Sequence, residues 1–253
     1  MGMTPRVCLV TGAGRGIGRA VATRLSADGH KVALAARSAG ELDELAAELG
    51  GSALALRADV TNTDDIEAMF VSVEQQWAPV EILVTSAGTS SSGPFARTTD
   101  AEWQAILDLN LTGTFRCMRR AVPAMVAGGY GRIVAVASVA AKRGERFIAP
   151  YTASKHGVLG LVRSLAAELA TTGVTVNAVC PAFVDTPMTD GNVEFVSGRT
   201  GRPASEIRGL LEAVQPIGRL ITADEVADAV AYLVGNAAVT GQGLDVDGGL
   251  CQS

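Results

Sequence analysis

The sequence predicts an α/β fold: a single doubly wound parallel sheet with helices on both faces. Three observations predict it. Short apolar runs rich in valine and isoleucine recur without alternating polar residues, as in strands buried on both faces. Longer helix-like segments separate most of them, which is the βαβ alternation of a parallel sheet. A glycine-rich turn follows the first run and opens a helix.

The predicted strands are RVCLVTG, KVALAAR, SALALRAD, EILVTSAG, GRIVAVAS, VTVNAVCP and GLDVDGG, in chain order. Three of the segments between them open on a hydroxyl residue with a glutamate three positions later, the pattern of a capping box. The pairs are Ser38 with Glu41, Thr99 with Glu102, and Thr222 with Glu225. Ligands of such sheets bind beyond the carboxyl ends of the strands, so we expect the functional residues directly after each strand.

Composition narrows the class of protein. A chain of 253 residues is long enough for a sizeable core, and we expect one domain spanning 1–253. The net charge of -5 offers no basic surface for nucleic acid. No apolar run approaches the ~20 residues of a membrane span, and the N-terminal residues lack the pattern of a signal peptide. We therefore expect a cytoplasmic protein that binds neither nucleic acid nor membrane.

The cysteines and histidines argue against a disulfide-bonded protein and against a zinc protein. The cysteines are Cys8, Cys117, Cys180 and Cys251, and they are scattered without CxxC spacing. Buried, reduced thiols are expected rather than disulfides. His30 and His156 are the only histidines, so no zinc site is expected and we predict no metal.

The turn TGAGRGIG, residues 11–18, predicts a nucleotide site rather than a plain tight turn. It departs from G-x-G-x-x-G because position 17 is isoleucine, but it matches a variant spacing with Gly12, Gly16 and Gly18. Glycine allows positive φ and lets a pyrophosphate approach backbone N–H groups. The helix N-terminus that follows adds a favourable partial charge.

The second strand favours NADP(H), with NAD(H) possible. Sites for NAD usually end this strand with a carboxylate, whereas this chain has Ala36 and Arg37. Arg37 and Arg15 are placed to converge on a 2′-phosphate, with a hydroxyl from Ser38. Asp59, after the third strand, is placed either to accept a hydrogen bond from the adenine amino group or to cap a loop.

Several motifs together resemble the short-chain dehydrogenase/reductase family. They are the glycine turn, Asn110 in LNLTG, Ser138 after the fifth strand, and Tyr151 and Lys155 in Y-x-x-x-K. The likeness runs from about residue 7 to 249. It is greatest to bacterial ketoreductases of the 3-oxoacyl and polyketide type, through PYTASKHGVLG, VTVNAVCPAFVDTPM and PIGRL. The resemblance implies a Rossmann-type fold and a hydride passed between a nicotinamide and a carbonyl carbon.

The resemblance also implies a role for each catalytic candidate. Tyr151 would exchange the proton on the substrate oxygen, and Ser138 would hydrogen-bond that oxygen. Residues four apart share a helix face, so Lys155 lies near Tyr151. Its ammonium, with the oxidised nicotinamide, is expected to lower the pKa of the tyrosine. Lys155 would also bond the nicotinamide ribose, and Asn110 would hold a water that relays protons.

Further cofactor contacts follow from the same resemblance. They are Ile17, Val60, Ala87, Gly88, Pro181, Val184 and Thr186, besides Tyr151 and Lys155. Two departures accompany them. Thr85 and Ser86 stand where the family usually has two asparagines. Ala182 replaces a glycine, so the turn after the sixth strand either avoids positive φ or is strained.

Residues from about 187 to 218 are expected to form a mobile lid over the substrate, polar and glycine-dotted in the first half and helical in the second. Candidate apolar pocket walls are Phe147, Phe183, Met188 and Phe195, with ordinary core packing as the alternative for each.

The substrate is expected to be a small ketone or alcohol, or an acyl-CoA thioester. Acyl-carrier-protein reductases typically have arginines where this chain has Gly129 and Thr172, which argues against docking of a carrier. Arg143 or Arg146 is placed to meet an anionic group at the pocket entrance. By family analogy the tail GLDVDGGLCQS packs against a partner subunit in a homotetramer.

Three functions are consistent with these residues. The first is an NADPH-dependent carbonyl reductase. The second is an NAD-dependent dehydrogenase of a secondary alcohol or hydroxyacyl compound, against which the absence of a carboxylate at Ala36 argues. The third is a dinucleotide-sensing protein without catalysis, which the presence of all four catalytic candidates disfavours.

Overall fold

Along residues 4–252, which a computed structural model describes, seven strands alternate with nine α-helices. The strands are β1 (Val7–Thr11), β2 (Lys31–Ala36), β3 (Ala53–Arg57), β4 (Ile82–Thr85), β5 (Gly131–Val136), β6 (Val174–Pro181) and β7 (Gly243–Val246). The helices are α1 (Gly16–Ala27), α2 (Ala39–Leu49), α3 (Thr63–Gln76), α4 (Asp100–Leu107), α5 (Gly113–Ala127), α6 (Ala149–Leu169), α7 (Pro187–Thr200), α8 (Ala204–Val214) and α9 (Ala223–Gly235).

The strands form one sheet in the order β3-β2-β1-β4-β5-β6-β7, and every neighbouring pair is parallel. The chain winds outward from β1 in one direction and from β4 in the other, so the order reverses between these two strands. The predicted doubly wound parallel sheet is confirmed. The reversal leaves a crevice at the carboxyl ends of β1 and β4, the position at which such sheets bind ligands.

The core has two layers because side chains alternate across the sheet. Leu9 of β1 packs in one layer with buried side chains of α3, α5 and α6. Its neighbours Cys8 and Val10 pack in the other layer with α1, α2 and α9. Cys8, Cys117 and Cys180 are buried, Cys251 is half-buried, and all four are free thiols.

Two of the three predicted capping boxes are present. Thr99 and Thr222 each accept a hydrogen bond from the glutamate N–H three residues later, and each glutamate side chain bonds back to the cap. The box predicted at Ser38 is wrong, because Ser38 caps α2 without a side-chain hydrogen bond. Glu41 points instead toward the glycine turn, where its Oε2 lies 2.6 Å from the position that a Cβ on Gly14 would take.

The segment after β6 is more helical than predicted. Its first half forms α7, so helix is not confined to the second half. Pro187 occupies the first turn, where its fixed φ favours a helix and its missing N–H costs nothing. Gly201, in the left-handed conformation, ends the helix. Gly191 and Gly198 lie inside α7 and only weaken it.

Candidate active site

A cavity of about 390 Å³ lies at the carboxyl ends of the central strands. Every residue predicted to bind the cofactor lines it: Gly12, Arg15, Gly16, Ile17, Gly18, Arg37, Ser38, Asp59, Val60, Ala87, Gly88, Tyr151, Lys155, Pro181, Val184 and Thr186. Ser138 lines it as well. Asn110 is absent from the lining and is buried at 1% exposure. The structure therefore gathers the predicted site residues around one cavity, with Asn110 behind its wall.

The three glycines of the turn serve different needs. Gly12 has φ 69°, and a Cβ on it would lie 2.8 Å from the backbone of Ala87. Gly16 has φ 54° at the start of α1. Gly18 has an ordinary φ, but its Cβ would lie 2.1 Å from the carbonyl oxygen of Gly12. Since Cβ atoms do not approach backbone this closely, a side chain at position 12 or 18 would push the turn out of place.

Thr11 holds this turn against the residues directly after β4 through hydrogen bonds. Its Oγ1 accepts hydrogen bonds from the backbone N–H groups of Ser86, at 3.2 Å, and Ala87, at 3.3 Å. Thr11 is a site residue that was not predicted from the sequence, although it is the last residue of β1, where functional residues are expected. The hydroxyl keeps the Ala87 backbone in contact with Gly12, so both backbones border the cavity.

Two of the cavity's lining residues are exposed arginines. Arg15 and Arg37 both line it, and neither forms a salt bridge with any residue in the part of the chain that the structure describes. The residues directly after β2 are Arg37 and Ser38 rather than a carboxylate, although Glu41 and Asp59 also line the cavity. The two arginines consequently offer cations for an anionic group.

Of the two roles raised for Asp59, capping a loop or binding an adenine amino group, the structure contains the first. Its Oδ1 accepts hydrogen bonds from the N–H of Thr61 at 2.9 Å and the Oγ1 of Thr61 at 2.8 Å, as a loop cap does. Its pKa is lowered, chiefly by the backbone hydrogen bond from Thr61, with further contributions from the Thr61 hydroxyl and Arg37. The carboxylate also lines the cavity, so contact with an adenine amino group remains a prediction.

The Y-x-x-x-K motif lies in the first two turns of α6. The Lys155 Nζ donates a hydrogen bond to the carbonyl oxygen of Val136 at 2.8 Å and lies 5.6 Å from the centre of the Tyr151 ring. Lys155 is buried at 6% exposure, although it carries an ammonium group. Its hydrogen bond ties α6 to the end of β5, two residues before Ser138. Ser138, Tyr151 and Lys155 therefore face the cavity together.

Asn110 connects the segment after β4 to the start of α6 by hydrogen bonds. It lies in a π-helical turn, residues 108–112, between α4 and α5. Its side-chain amide exchanges hydrogen bonds of 2.9 Å with both the N–H and the carbonyl oxygen of Thr89. It also donates to Ser154 Oγ at 3.0 Å, and Ser154 donates at 2.7 Å to the carbonyl oxygen of Tyr151. The proton-relay water predicted for Asn110 remains a prediction.

Burial, rather than the neighbouring ammonium, dominates the acid–base behaviour of the pair. Burial raises the pKa of Tyr151, and a hydrogen bond with Ser138 offsets part of that rise. Burial lowers the pKa of Lys155 to about 8. The expectation that Lys155 acidifies Tyr151 is therefore wrong for the protein's own groups. The physical reason is that removing either group from water disfavours its charged form.

The apolar walls of the cavity differ in part from the prediction. Met188 lines the cavity, whereas Phe147, Phe183 and Phe195 do not. Phe147 and Phe195 are 54% and 44% exposed, so core packing does not account for them either. Phe147 also has φ 70°, which is unfavourable for a phenylalanine.

The two arginines predicted at the pocket entrance, Arg143 and Arg146, differ from each other in their contacts. Arg143 forms an ion pair of 2.9 Å with Glu145, whereas Arg146 stacks over the Phe147 ring at 5.3 Å and is exposed. Arg146 is therefore the more available of the two for an anionic group. Ala182 does not adopt positive φ, so its turn avoids the strained region.

Several polar lining residues were missed. They are Glu41, Thr89, Ser90 and Asn192. Thr89 and Ser90 follow β4 directly, which was a usable signal, but nothing local marks Asn192 within the lid segment. Among residues 4–252, no group of three histidine, cysteine, aspartate or glutamate side chains could hold a metal ion, and no helix is long and apolar enough to cross a membrane.

Comparison with known proteins places the chain in a family. Residues 6–196 match the model of the short chain dehydrogenases. The chain is 43% identical over 251 residues to a provisionally named ketoacyl reductase of Streptomyces coelicolor, covering 96% of each chain. It is 37% identical over 256 residues to a 3-oxoacyl-[acyl-carrier-protein] reductase of Synechocystis, covering 98% of each.

A solved structure agrees in fold as well as sequence. A phenylalanine-to-tryptophan variant of actinorhodin polyketide ketoreductase, crystallised with NADPH, superposes with a TM-score of 0.94 at 42% identity, covering 97% of each chain. The chain belongs to the short-chain dehydrogenase/reductase family of oxidoreductases.

Proposed function

We propose that the protein is an NADPH-dependent ketoreductase that reduces the carbonyl of a ketone or 3-oxoacyl compound. One observation carries the proposal: a single cavity is lined by Ser138, Tyr151 and Lys155 and also by Arg15 and Arg37, which form no salt bridge within residues 4–252. The relatives support it, since they are named as ketoacyl and 3-oxoacyl reductases and the solved ketoreductase contains NADPH.

The cavity suits NADPH through its backbone and its charges. The dihydronicotinamide supplies the hydride when the cofactor is bound. Gly12, Gly16 and Ala87 let backbone approach the pyrophosphate, and the N-terminus of α1 favours its charge. Arg15 and Arg37 would hold a 2′-phosphate, which NADH lacks.

The proton comes from Tyr151. A tyrosine with an ordinary pKa of about 10 is already protonated at neutral pH, and Tyr151, whose pKa burial raises, can donate its proton to the oxygen that gains charge as the carbonyl is reduced. Ser138 would hydrogen-bond the same oxygen and stabilise that charge. Lys155, held by the Val136 carbonyl, places a positive charge beside the phenol and would bond the nicotinamide ribose. Asn110 fixes the backbone of Tyr151 through Ser154.

Around this site we propose a single catalytic domain, 1–253, with residues of about 187–218 as its substrate lid. Part of that segment lines the cavity, including Pro187, Met188 and Asn192. Closure of such a segment excludes water from a reacting hydride. The absence of arginine at Gly129 and Thr172 favours a small ketone or an acyl-CoA thioester over a carrier-bound substrate.

An NAD-dependent dehydrogenase acting in the oxidative direction is the second candidate function. Sites for NAD usually carry a carboxylate directly after the second strand, whereas this chain has Arg37 and Ser38 there. That position therefore favours the NADPH-dependent reductase. A dinucleotide sensor without catalysis is less favoured still, because sensing a dinucleotide does not require a proton donor such as Tyr151 beside Ser138 and Lys155 in the cavity wall.

Replacing the proton donor tests the reaction itself. In Tyr151→Phe, kcat for NADPH-dependent reduction of an activated ketone is expected to fall by at least about 100-fold, since general acid catalysis is removed. The dissociation constant for NADPH, measured by cofactor fluorescence, is expected to change little. Tyr232→Phe is the matched control, because Tyr232 is 53% exposed on α9 and outside the cavity. Equal kcat in the two variants would contradict the proposal.

Lys155 predicts the pH dependence of reduction. Below about pH 8 it carries its ammonium, and above that it becomes neutral, while Tyr151 stays protonated because its pKa is raised. We expect kcat/KM for the ketone, at saturating NADPH, to be flat at lower pH and to fall up to tenfold per unit above about pH 8. Lys155→Arg keeps its charge and should move the fall upward. A flat profile to pH 9.5 would refute this role.

Arg37 predicts the cofactor preference. In Arg37→Ala the KM for NADPH is expected to rise about tenfold, because a charge-assisted contact to the 2′-phosphate is lost. The KM for NADH should change little. Arg57→Ala is the control, since Arg57 is exposed at the end of β3 but does not line the cavity. An equal rise for both cofactors would show that Arg37 does not select NADPH.

We further propose that four copies assemble. Exposed apolar side chains on α4 and α5 support this, with Trp103, Phe115 and Val126 at 37%, 40% and 38% exposure. β7 is the last strand of the sheet and has no neighbour on its outer side among residues 4–252. Light scattering after size exclusion should give four times the mass of one chain, and a monomer would contradict the assembly.

We place the protein in the cytoplasm. Its four free thiols, three of them buried, are typical of a reducing compartment. NADPH is also abundant there as the reductant that the reaction consumes. Cell fractionation that finds the protein outside the cytoplasm would contradict this placement.

A further inference from the structure

One wall of the cavity is the strip from Val184 to Asn192, which joins the end of β6 to the first turns of α7. Its lining residues are Val184, Thr186, Pro187, Met188, Thr189, Gly191 and Asn192. Asp185 and Asp190 belong to the same strip but do not line the cavity. Their carboxylates are 56% and 54% exposed and lie on its outer side. The strip therefore has a ligand-facing side and an acidic outer side.

Arg208 of α8 contacts both outer carboxylates. Its Nη2 lies 2.6 Å from Oδ1 of Asp185, and its Nη1 lies 2.9 Å from Oδ1 of Asp190. Its Nε lies 3.6 Å from Oε1 of Glu212, one turn along α8. Within residues 4–252, Asp185 and Asp190 form no ion pair with any other cation. One planar guanidinium thus bridges a residue before α7 and a residue in its first turn.

On its cavity side the same strip contacts the segment after β4. Asn192, two residues after Asp190, hydrogen-bonds at 3.3 Å to Ser90 in the segment after β4. Ser90 and Asn192 both line the cavity. The wall is consequently held at two places, by Arg208 from behind and by Ser90 from the opposite side.

From this arrangement we propose that Arg208 is a positioning residue, which sets the distance between the lid wall and the catalytic side of the cavity. Without the guanidinium, Asp185, Asp190 and Glu212 form a cluster of like charges that repel one another. Repulsion moves the first turn of α7 away from α8 and weakens the Asn192 contact with Ser90. Met188 and Thr186 then lie further from a carbonyl bound at Tyr151. The effect on turnover rests on the proposed ketoreductase function, whereas the effect on the wall does not.

A comparison of Arg208→Gln with Arg202→Gln tests the proposal. Both changes remove one positive charge from the α8 region, but within residues 4–252 Arg202 forms an ion pair with Glu206 alone, in an i,i+4 contact of 2.6 Å. Chymotrypsin cleavage after Phe195, which is 44% exposed on α7, reports opening of the wall without any need for activity. KM and kcat for an activated ketone with NADPH report its effect on the reaction. Thermal unfolding checks whether both variants are folded.

Arg208→Gln is expected to speed cleavage after Phe195 about fivefold and to raise KM for the ketone by a similar factor, the range for loss of partly exposed ion pairs. Its kcat is expected to stay within about twofold, because Arg208 touches no reacting atom. Arg202→Gln should match the wild type in both assays. Equal cleavage rates and KM values in the two variants would overturn the proposal, as would a change in melting temperature alone.

Failure of the proposed function would look different. If the wild type reduces no ketone, the ketoreductase proposal fails, but cleavage after Phe195 still decides whether Arg208 holds the wall.

Discussion

The hydrogen bond from Lys155 to the Val136 carbonyl is the contact on which the site depends. Burying an ammonium group costs free energy, and the burial is tolerated here because the Val136 carbonyl oxygen at the end of β5 accepts a hydrogen bond of 2.8 Å from Lys155 Nζ. That bond fixes the first turns of α6 against the end of β5, two residues before Ser138. Tyr151, one turn before Lys155, is thereby brought to the same cavity as Ser138. The geometry of proton transfer is thus set by a helix-to-strand contact rather than by the loop between them.

The polar network around Asn110 completes this framework from the other side. Asn110 holds Thr89 through its amide and reaches the Tyr151 carbonyl through Ser154, so hydrogen bonds connect the segment after β4 to the start of α6. Gly88 lies between them, and a Cβ there would come within 3.2 Å of Asn110 Oδ1 and 3.7 Å of Lys155 Nζ. Small residues and buried hydrogen bonds are therefore needed at the same place, because backbone must approach a ligand that side chains would block.

The sequence predicted what depends on local pattern. The strands follow from apolar runs, the site from residues at strand ends, and two capping boxes from spacing three apart. Contacts between distant segments escaped it: Thr11 with Ala87, Asn192 with Ser90, and Arg208 with Asp185. In each, a common polar residue finds its partner only after the chain has folded. The extent of α7 also escaped it, since its internal glycines suggested an irregular segment, whereas Pro187 and the cap at Gly201 sustain a helix.

The acid–base pair shows why local pattern alone misjudges electrostatics. Spacing places an ammonium near a phenol, and an isolated pair in water would then favour the phenolate. Burial acts on both groups in the opposite sense, raising the pKa of Tyr151 and lowering that of Lys155 to about 8. A raised pKa keeps the phenol protonated, but it also makes the phenol a weaker acid, because the phenolate left after donation is the form that burial disfavours. Both directions of the reaction pass through that phenolate, so both depend on the groups that stabilise it. Ser138 is one of them, since its hydrogen bond lowers the pKa of Tyr151. The positive nicotinamide formed during reduction would be another.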